Sequence, residues 1–213
     1  MSENRQVMID SLPSGALKVS DFAVRTTSVP EPGEGQVLSR TLALTIGAGQ
    51  RAGLQGSASY AGAAKTDTVM TGTGVARVEI SNTPDFSVGD LVVGRTDWQD
   101  YSVLSGRHLS RIDEAADPAL HLGTLGTNGL TAYFGLLDVG AAKEGETVVV
   151  SAAAGSVGHM VGQIAKLKGC RVIGVAGSNE KCQILTKELG FDVAVNYKDS
   201  DFRAAFKAAT PDR

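Results

Sequence analysis

The chain has 213 residues, 42% hydrophobic and 20% charged, with a mean hydropathy of zero and a formal net charge of −3. This is the balance of a globular chain able to bury a core. Its scattered Lys and Arg exclude both the basic face of a nucleic-acid binder and a polybasic membrane patch, and no apolar run reaches the roughly 20 residues that cross a bilayer.

The N-terminal MSENRQVMIDSLPSG is polar and lacks the apolar centre of a signal peptide. Cys170 and Cys182 are the only cysteines and read as two reduced thiols of a cytoplasmic protein. From about residue 15 to about residue 115 the pattern is strand-like. ALKVSDFAV (16–24) and GVARVEI (74–80) alternate, QVLSRTLALTI (36–46) runs long, and DLVVGR (90–95) and DWQDYSVL (97–104) complete a series of short strands. The turn segments PEPGEG (30–35), NTPDFSVGD (82–90) and LSGRH (104–108) separate them, which predicts a small antiparallel barrel or sandwich. Trp98 is expected to pack inside it. The glycine-rich GAGQRAGLQGSASYAGAA (47–64) interrupts the pattern and reads as a long mobile loop, a feature that in compact domains accompanies function.

From about residue 122 the period changes. GLTAYFGLLDVG (129–140) reads as a helix and ETVVVSAAA (146–154) as a buried strand. SVGHMVGQIAKLKG (156–169) places apolar residues 157, 160, 161, 164 and 165 on one helical face. CRVIGVAG (170–177) is the next strand, NEKCQILTKELG (179–190) a helix ending on a C′ glycine, DVAVNY (192–197) a third strand and SDFRAAFKAAT (200–210) a last helix. The order is a βαβαβ unit with parallel strands, giving an α/β chain with domains at 1–121 and 122–213.

The junction SAAAGSVGHMVG (151–162) carries the chemistry. Ala153, Gly155 and Gly158 form a G-x-G-x-x-G pattern with Ala in the first place. Position 153 is expected to make the tight turn, Gly155 to let a pyrophosphate approach the backbone, and Gly158 to allow close helix–strand packing. Ser156 and Val157 complete the turn, and the helix start supplies free N–H groups for an anion. Small residues that merely ease packing at a βα junction are the competing explanation. After the second strand, where an NAD enzyme places an acid for the ribose 2′-hydroxyl, stand Gly177, Ser178 and Asn179, with Lys181 in the first helical turn. Ser178 and Lys181 suit a 2′-phosphate, so NADPH is expected over NADH, with Glu180 as the one opposing charge and a helix cap as the other use of Ser178.

The segments NGLTAYFGLL, VVVSAAAGSVGHMVGQIAKLKGCRVIGVAGSNEKC and LGFDVAVNYK resemble the zinc-free medium-chain dehydrogenases/reductases, in the branch of prostaglandin, alkenal double-bond and curcumin reductases. The resemblance is strong from about 120 to 200 and looser before. It implies a GroES-like β-barrel domain followed by part of a Rossmann domain, and NADPH-dependent reduction of the C=C bond of α,β-unsaturated ketones or aldehydes. By the same resemblance Gly155 to Gly158 hold the pyrophosphate, Lys181 and Ser178 meet the 2′-phosphate, Tyr197 lies beside the adenosine phosphate, and Asn128 and Thr131 lie near the nicotinamide. Tyr60 matches a tyrosine of the branch and is the candidate proton donor or oxygen ligand, an exposed loop tyrosine being the plain alternative.

The first half departs from the branch. Relatives read Asp-Pro-Tyr-Met-Arg where this chain has GAGQR (47–51), so Arg51 is kept but Gly49 replaces an aromatic that lines the substrate cleft. His108, His121 and His159 share no ligand spacing with the cysteines, and no Gly-His-Glu motif is present, so no metal is expected. A quinone or ketone reductase and a non-catalytic nucleotide-binding protein stay open beside the enone reductase. The expected partner is a small-molecule enone or quinone, with no nucleic acid and no membrane, and a homodimer is compatible with the sequence. Three parallel strands are written where the doubly wound order 3-2-1-4-5-6 has more, so the chain is expected to be a piece of a longer protein whose missing strand would flank TVVV.

Overall fold

The computed structural model describes residues 3–56, 63–114 and 116–211. It divides into two compact units, Met1–Leu122 and Gly123–Arg213.

In the first unit β1 (Glu3–Ile9) and β2 (Phe22–Ser28) pair antiparallel from Glu3↔Ser28 to Ile9↔Phe22. Strands β3 (Gln36–Leu44), β4 (Gly74–Ser81), β5 (Leu91–Gly94), β6 (Tyr101–Ser105) and β7 (Ser110–Arg111) form an antiparallel sheet of order β6-β3-β4-β5-β7. Val37, Ala76, Val78 and Val92 make its buried cluster, with Phe86, Leu104 and Leu109 packed around it. A second cluster gathers Ile9, Leu54 and Met70 against Trp98, whose ring stacks on Phe22. Val37, Ala76, Val78, Val92 and Ile9 are strand positions turned inward, while Leu54, Met70 and Trp98 come from the segments between strands.

Three expectations change. β1 is a strand although ENRQVMI reads as polar, because its polar side chains are paired rather than solvated. Asn4 is buried, accepting from the Tyr101 N–H at 2.9 Å and donating to the Tyr101 carbonyl at 3.1 Å. Arg5 makes a two-pronged ion pair with Asp100, at 2.7 and 3.1 Å. The strand expected over 16–24 starts only at Phe22, because Asp21 accepts the Lys18 N–H at 2.8 Å and closes a tight 3₁₀ turn over Val19–Asp21. The segment expected as a mobile loop contains a helix, α1 (Ala48–Leu54). Gln50 fastens it: its Oε1 accepts the Gly47 N–H at 2.6 Å, and its Nε2 donates to the Thr71 carbonyl at 2.6 Å. Tyr60 lies outside the described residues.

The second unit holds the helix α2 (Thr127–Phe134) with a wider helical turn over Gly135–Val139. Then come β8 (Thr147–Val150), α3 (Gly158–Leu167), β9 (Arg171–Ala176), α4 (Asn179–Lys187), β10 (Val193–Asn196) and α5 (Phe202–Ala209). The three strands are parallel in the order β10-β9-β8, with Val148↔Val172 and Val193↔Ile173 in register, as the βαβαβ pattern predicts. Val172 and Ile173 are fully buried in the central strand, because helices cover both faces. Gly162 on α3 exists for packing: a Cβ there would sit 1.9 Å from the Phe191 ring. Among the described residues β8 pairs only with β9, so the strand expected at the centre of a larger sheet is an edge here.

Candidate nucleotide-binding site

All three parallel strands end on the same side, and the loops that follow them hold the residues singled out from the sequence. Ala153 N–H donates to the Val175 carbonyl at 3.0 Å and Tyr197 N–H to the Ala176 carbonyl at 3.0 Å, so the loop after β8 and the chain after β10 are both tied to the end of β9. This is the carboxyl edge of an open α/β sheet, where such folds bind ligands.

The loop after β8 turns one residue earlier than the glycine pattern puts it. Ala152, at φ +47°, is the left-handed residue, whereas Ala153 is fully buried under β9 and packs toward Gly174. The Gly155 N–H closes the turn on the Ala152 carbonyl at 2.8 Å. Gly158 is demanded by the fold, since its Cβ would lie 2.5 Å from the Ala152 oxygen and 2.8 Å from the Ala153 Cα. Gly155 is exposed and a Cβ there would meet only the Ala152 oxygen, at 3.1 Å. The fold thus presses on Gly155 far less than on Gly158.

Beyond Gly155 the backbone N–H groups of Ser156, Val157 and Gly158 donate to no acceptor among the described residues. No side chain caps α3 either. Free donors at a helix start, in a loop without an acidic residue, are what a pyrophosphate requires.

After β9, Ser178 caps α4 by accepting the Lys181 N–H at 3.4 Å. The Glu180 carboxylate is held below its ordinary range by its own backbone N–H and by the Ser178 hydroxyl. Lys181 is exposed, and its ammonium makes no ion pair or hydrogen bond among the described residues. The Tyr197 ring lies against Gly177, where a Cβ would be 3.0 Å from the phenol oxygen, with Lys198 Nζ 6.0 Å from the ring centre. Asn128 and Thr131 share the first turns of α2, which packs on α3. The Asn128 amide is unengaged among the described residues, and the Thr131 hydroxyl donates to the Thr127 carbonyl at 2.6 Å. The structure therefore brings Ala153 to Gly158, Ser178, Lys181 and Tyr197 to one sheet edge. The sequence reading missed Ala152 and His159. The first carried no signal, since alanine rarely adopts positive φ. The second could have been noticed as a polar residue facing back on the loop from the first turn of α3.

Residues 5–112 match the family described as "N-terminal domain of oxidoreductase", and residues 156–213 the family described as "Zinc-binding dehydrogenase". The chain belongs to the zinc-free branch of the medium-chain dehydrogenases/reductases. It is 46% identical over 209 residues to the NADPH-dependent curcumin reductase of Escherichia coli strain K12, covering 98% of this chain and 61% of that protein. The 2-alkenal reductase (NADP(+)-dependent) of Nicotiana tabacum is 40% identical over 217 residues, covering 98% of this chain and 63% of that one. The crystal structure of CurA from Vibrio vulnificus in complex with NADPH aligns with a TM-score of 0.89 at 43% identity, over 96% of this chain and 61% of that chain. The chain thus spans about three fifths of the length of the curated relatives it matches. Among the described residues no group of three or more His, Cys, Asp or Glu is placed to hold a metal ion, and no helix is long and apolar enough to cross a membrane.

Proposed function

We propose that the protein is an NADPH-dependent reductase of the C=C bond of enones, with NADPH held at the carboxyl edge of the β8–β9–β10 sheet. The observation that carries the cofactor reading is the row of three unused N–H groups at Ser156, Val157 and Gly158 beside an exposed Gly155. The printed activities of the relatives, on curcumin, prostaglandins and alkenals, support the substrate class. Bound there, NADPH supplies a hydride for the β-carbon of the enone. The chain's own contribution is placement: the loop N–H groups fix the diphosphate, Lys181 selects the 2′-phosphate, and Tyr197 walls the adenosine side. Both cysteines are free thiols, which fits work in the reducing cytoplasm.

Calorimetric titration with NADPH and NADH tests the cofactor reading. NADPH binds more tightly by about tenfold, the value of one exposed charge-assisted hydrogen bond at the low end of its range. Lys181→Ala removes most of that difference and leaves NADH affinity nearly unchanged. Equal affinity of the unsubstituted protein for both cofactors overturns it. NADPH consumption against enones and 1,4-quinones tests the chemistry: turnover of quinones alone favours a quinone reductase, and binding without turnover of either favours a non-catalytic nucleotide binder.

A further inference from the structure

The imidazole of His159 has no part in the reading so far, yet it stands inside the nucleotide loop. It is the second residue of α3, half-buried, and its side chain turns back toward the helix start, as helical side chains do. There Nδ1 lies 2.8 Å from the Gly155 carbonyl oxygen, which already accepts the His159 N–H at 3.1 Å. A carbonyl only accepts, so Nδ1 carries a proton in every state of the ring. That fixes the tautomer: in the neutral ring Nε2 is a bare acceptor. It has no partner among the described residues.

The ring is thus anchored to the exposed Gly155, beside the N–H groups of Ser156, Val157 and Gly158 that are unused among the described residues. A diphosphate seated on those groups presents anionic oxygens to a ring whose free nitrogen can only accept until it is protonated. Protonation leaves the Gly155 hydrogen bond intact and turns Nε2 into a charged donor. We propose that His159 is a ligand of the cofactor's diphosphate and that NADPH binding draws a proton onto its ring. This rests on the nucleotide reading of the loop given above.

Nothing else packed on α3 competes for the ring. β8 and residues 151–157 carry no titratable group. On α3 itself Lys166 is paired with Asp192. Arg171 of β9 donates to the Ala209 carbonyl. Tyr133 of α2 and Asp138 of the turn 135–139 are the remaining titratable groups on elements packed against α3, and neither hydrogen-bonds or ion-pairs with the imidazole.

The test compares the unsubstituted protein with His159→Asn, whose amide can keep the Gly155 hydrogen bond but cannot titrate. NADPH affinity is measured by titration from about pH 8 to about pH 5.5, the range in which histidine changes charge. The cofactor's 2′-phosphate also titrates there, so the quantity read is the ratio of the two proteins' affinities at each pH. The unsubstituted protein gains roughly fivefold over His159→Asn as the pH falls, the value of one partly exposed charged hydrogen bond. Calorimetry near pH 7 in two buffers of different ionisation enthalpy gives a second readout: the 2′-phosphate contributes alike in both proteins, so the unsubstituted protein takes up more protons on binding NADPH than His159→Asn does. A ratio flat across the range, or equal proton exchange by the two proteins, overturns the inference while leaving the nucleotide site standing. Absence of NADPH binding at every pH overturns both.

Discussion

A Cβ placed on Gly155 comes within 3.1 Å of one atom, the Ala152 oxygen, whereas one on Gly158 meets Ala152 and Ala153 backbone at 2.5 and 2.8 Å. The two glycines of the motif therefore separate by experiment. Gly155→Val is expected to fold, shown by an unchanged circular dichroism spectrum, and to lose NADPH binding because the branched side chain occupies the diphosphate's approach. Unchanged affinity in the folded variant would show that the loop is small for packing alone. Glu180 gives the opposite sign. Its carboxylate stands beside Lys181 in sequence, and its own backbone N–H and the Ser178 hydroxyl hold it below the ordinary carboxylate range. Glu180→Gln removes a charge that repels a 2′-phosphate and loosens the hold on Ser178, so the preference for NADPH over NADH should grow by about three- to fivefold. A preference that shrinks would mean that the carboxylate serves the ribose instead.

At the scale of elements, Asp192 ties α3 to β9. Its carboxylate accepts Lys166 Nζ at 2.8 and 2.9 Å and the Val172 N–H at 2.6 Å. Burial pushes this carboxyl upward, but the hydrogen bonds from Lys166 and Val172 outweigh it and hold the group below the ordinary carboxylate range. A depressed folded value means that the stabilisation is full above the unfolded-state pKa, near 4, and is lost as pH falls through the lower folded value. Asp192→Asn should cost about 1 kcal/mol at neutral pH by thermal unfolding, solvent screening of the partly exposed pair included, with the gap to the unsubstituted protein closing as the pH falls below the unfolded-state value. A constant gap would remove the ion pair from the account. The element order of this half was legible because its strands are apolar throughout and its helices keep a 3.6-residue face. In the other half β1 and α1 were hidden for a shared reason: Asn4, Arg5 and Gln50 satisfy their polar groups on distant partners, Tyr101, Asp100 and Thr71. Local patterning does not record such pairing. The site was legible to the same extent as its motif. Glycine spacing located the loop and Lys181, but the left-handed Ala152 and the His159–Gly155 bond exist only in three dimensions.

At the scale of the whole 213-residue chain, the outer side of β8 is the surface that bears on association. Thr147–Val150 reads TVVV, pairs with β9 along one edge, and among the described residues has no strand on the other. A charge-free β-branched edge is a template for pairing with a second strand, and natural sheets blunt such edges with charge. The net charge of −3 is spread over 213 residues and gives only weak repulsion between molecules. The 213-residue chain is therefore expected to self-associate as its concentration rises, seen as an increase in weight-average mass above 22.0 kDa in sedimentation equilibrium. Thr147 is the position at which to test this, because it is exposed and stands opposite Arg171 in register. Thr147→Glu adds a charge to the free edge while meeting an opposite charge across the strand pair, so the fold keeps its sheet. The variant should stay at 22.0 kDa over the same concentrations with its unfolding midpoint unchanged or slightly raised. Association that persists undiminished in Thr147→Glu would place the contact on another surface and remove β8 from the argument.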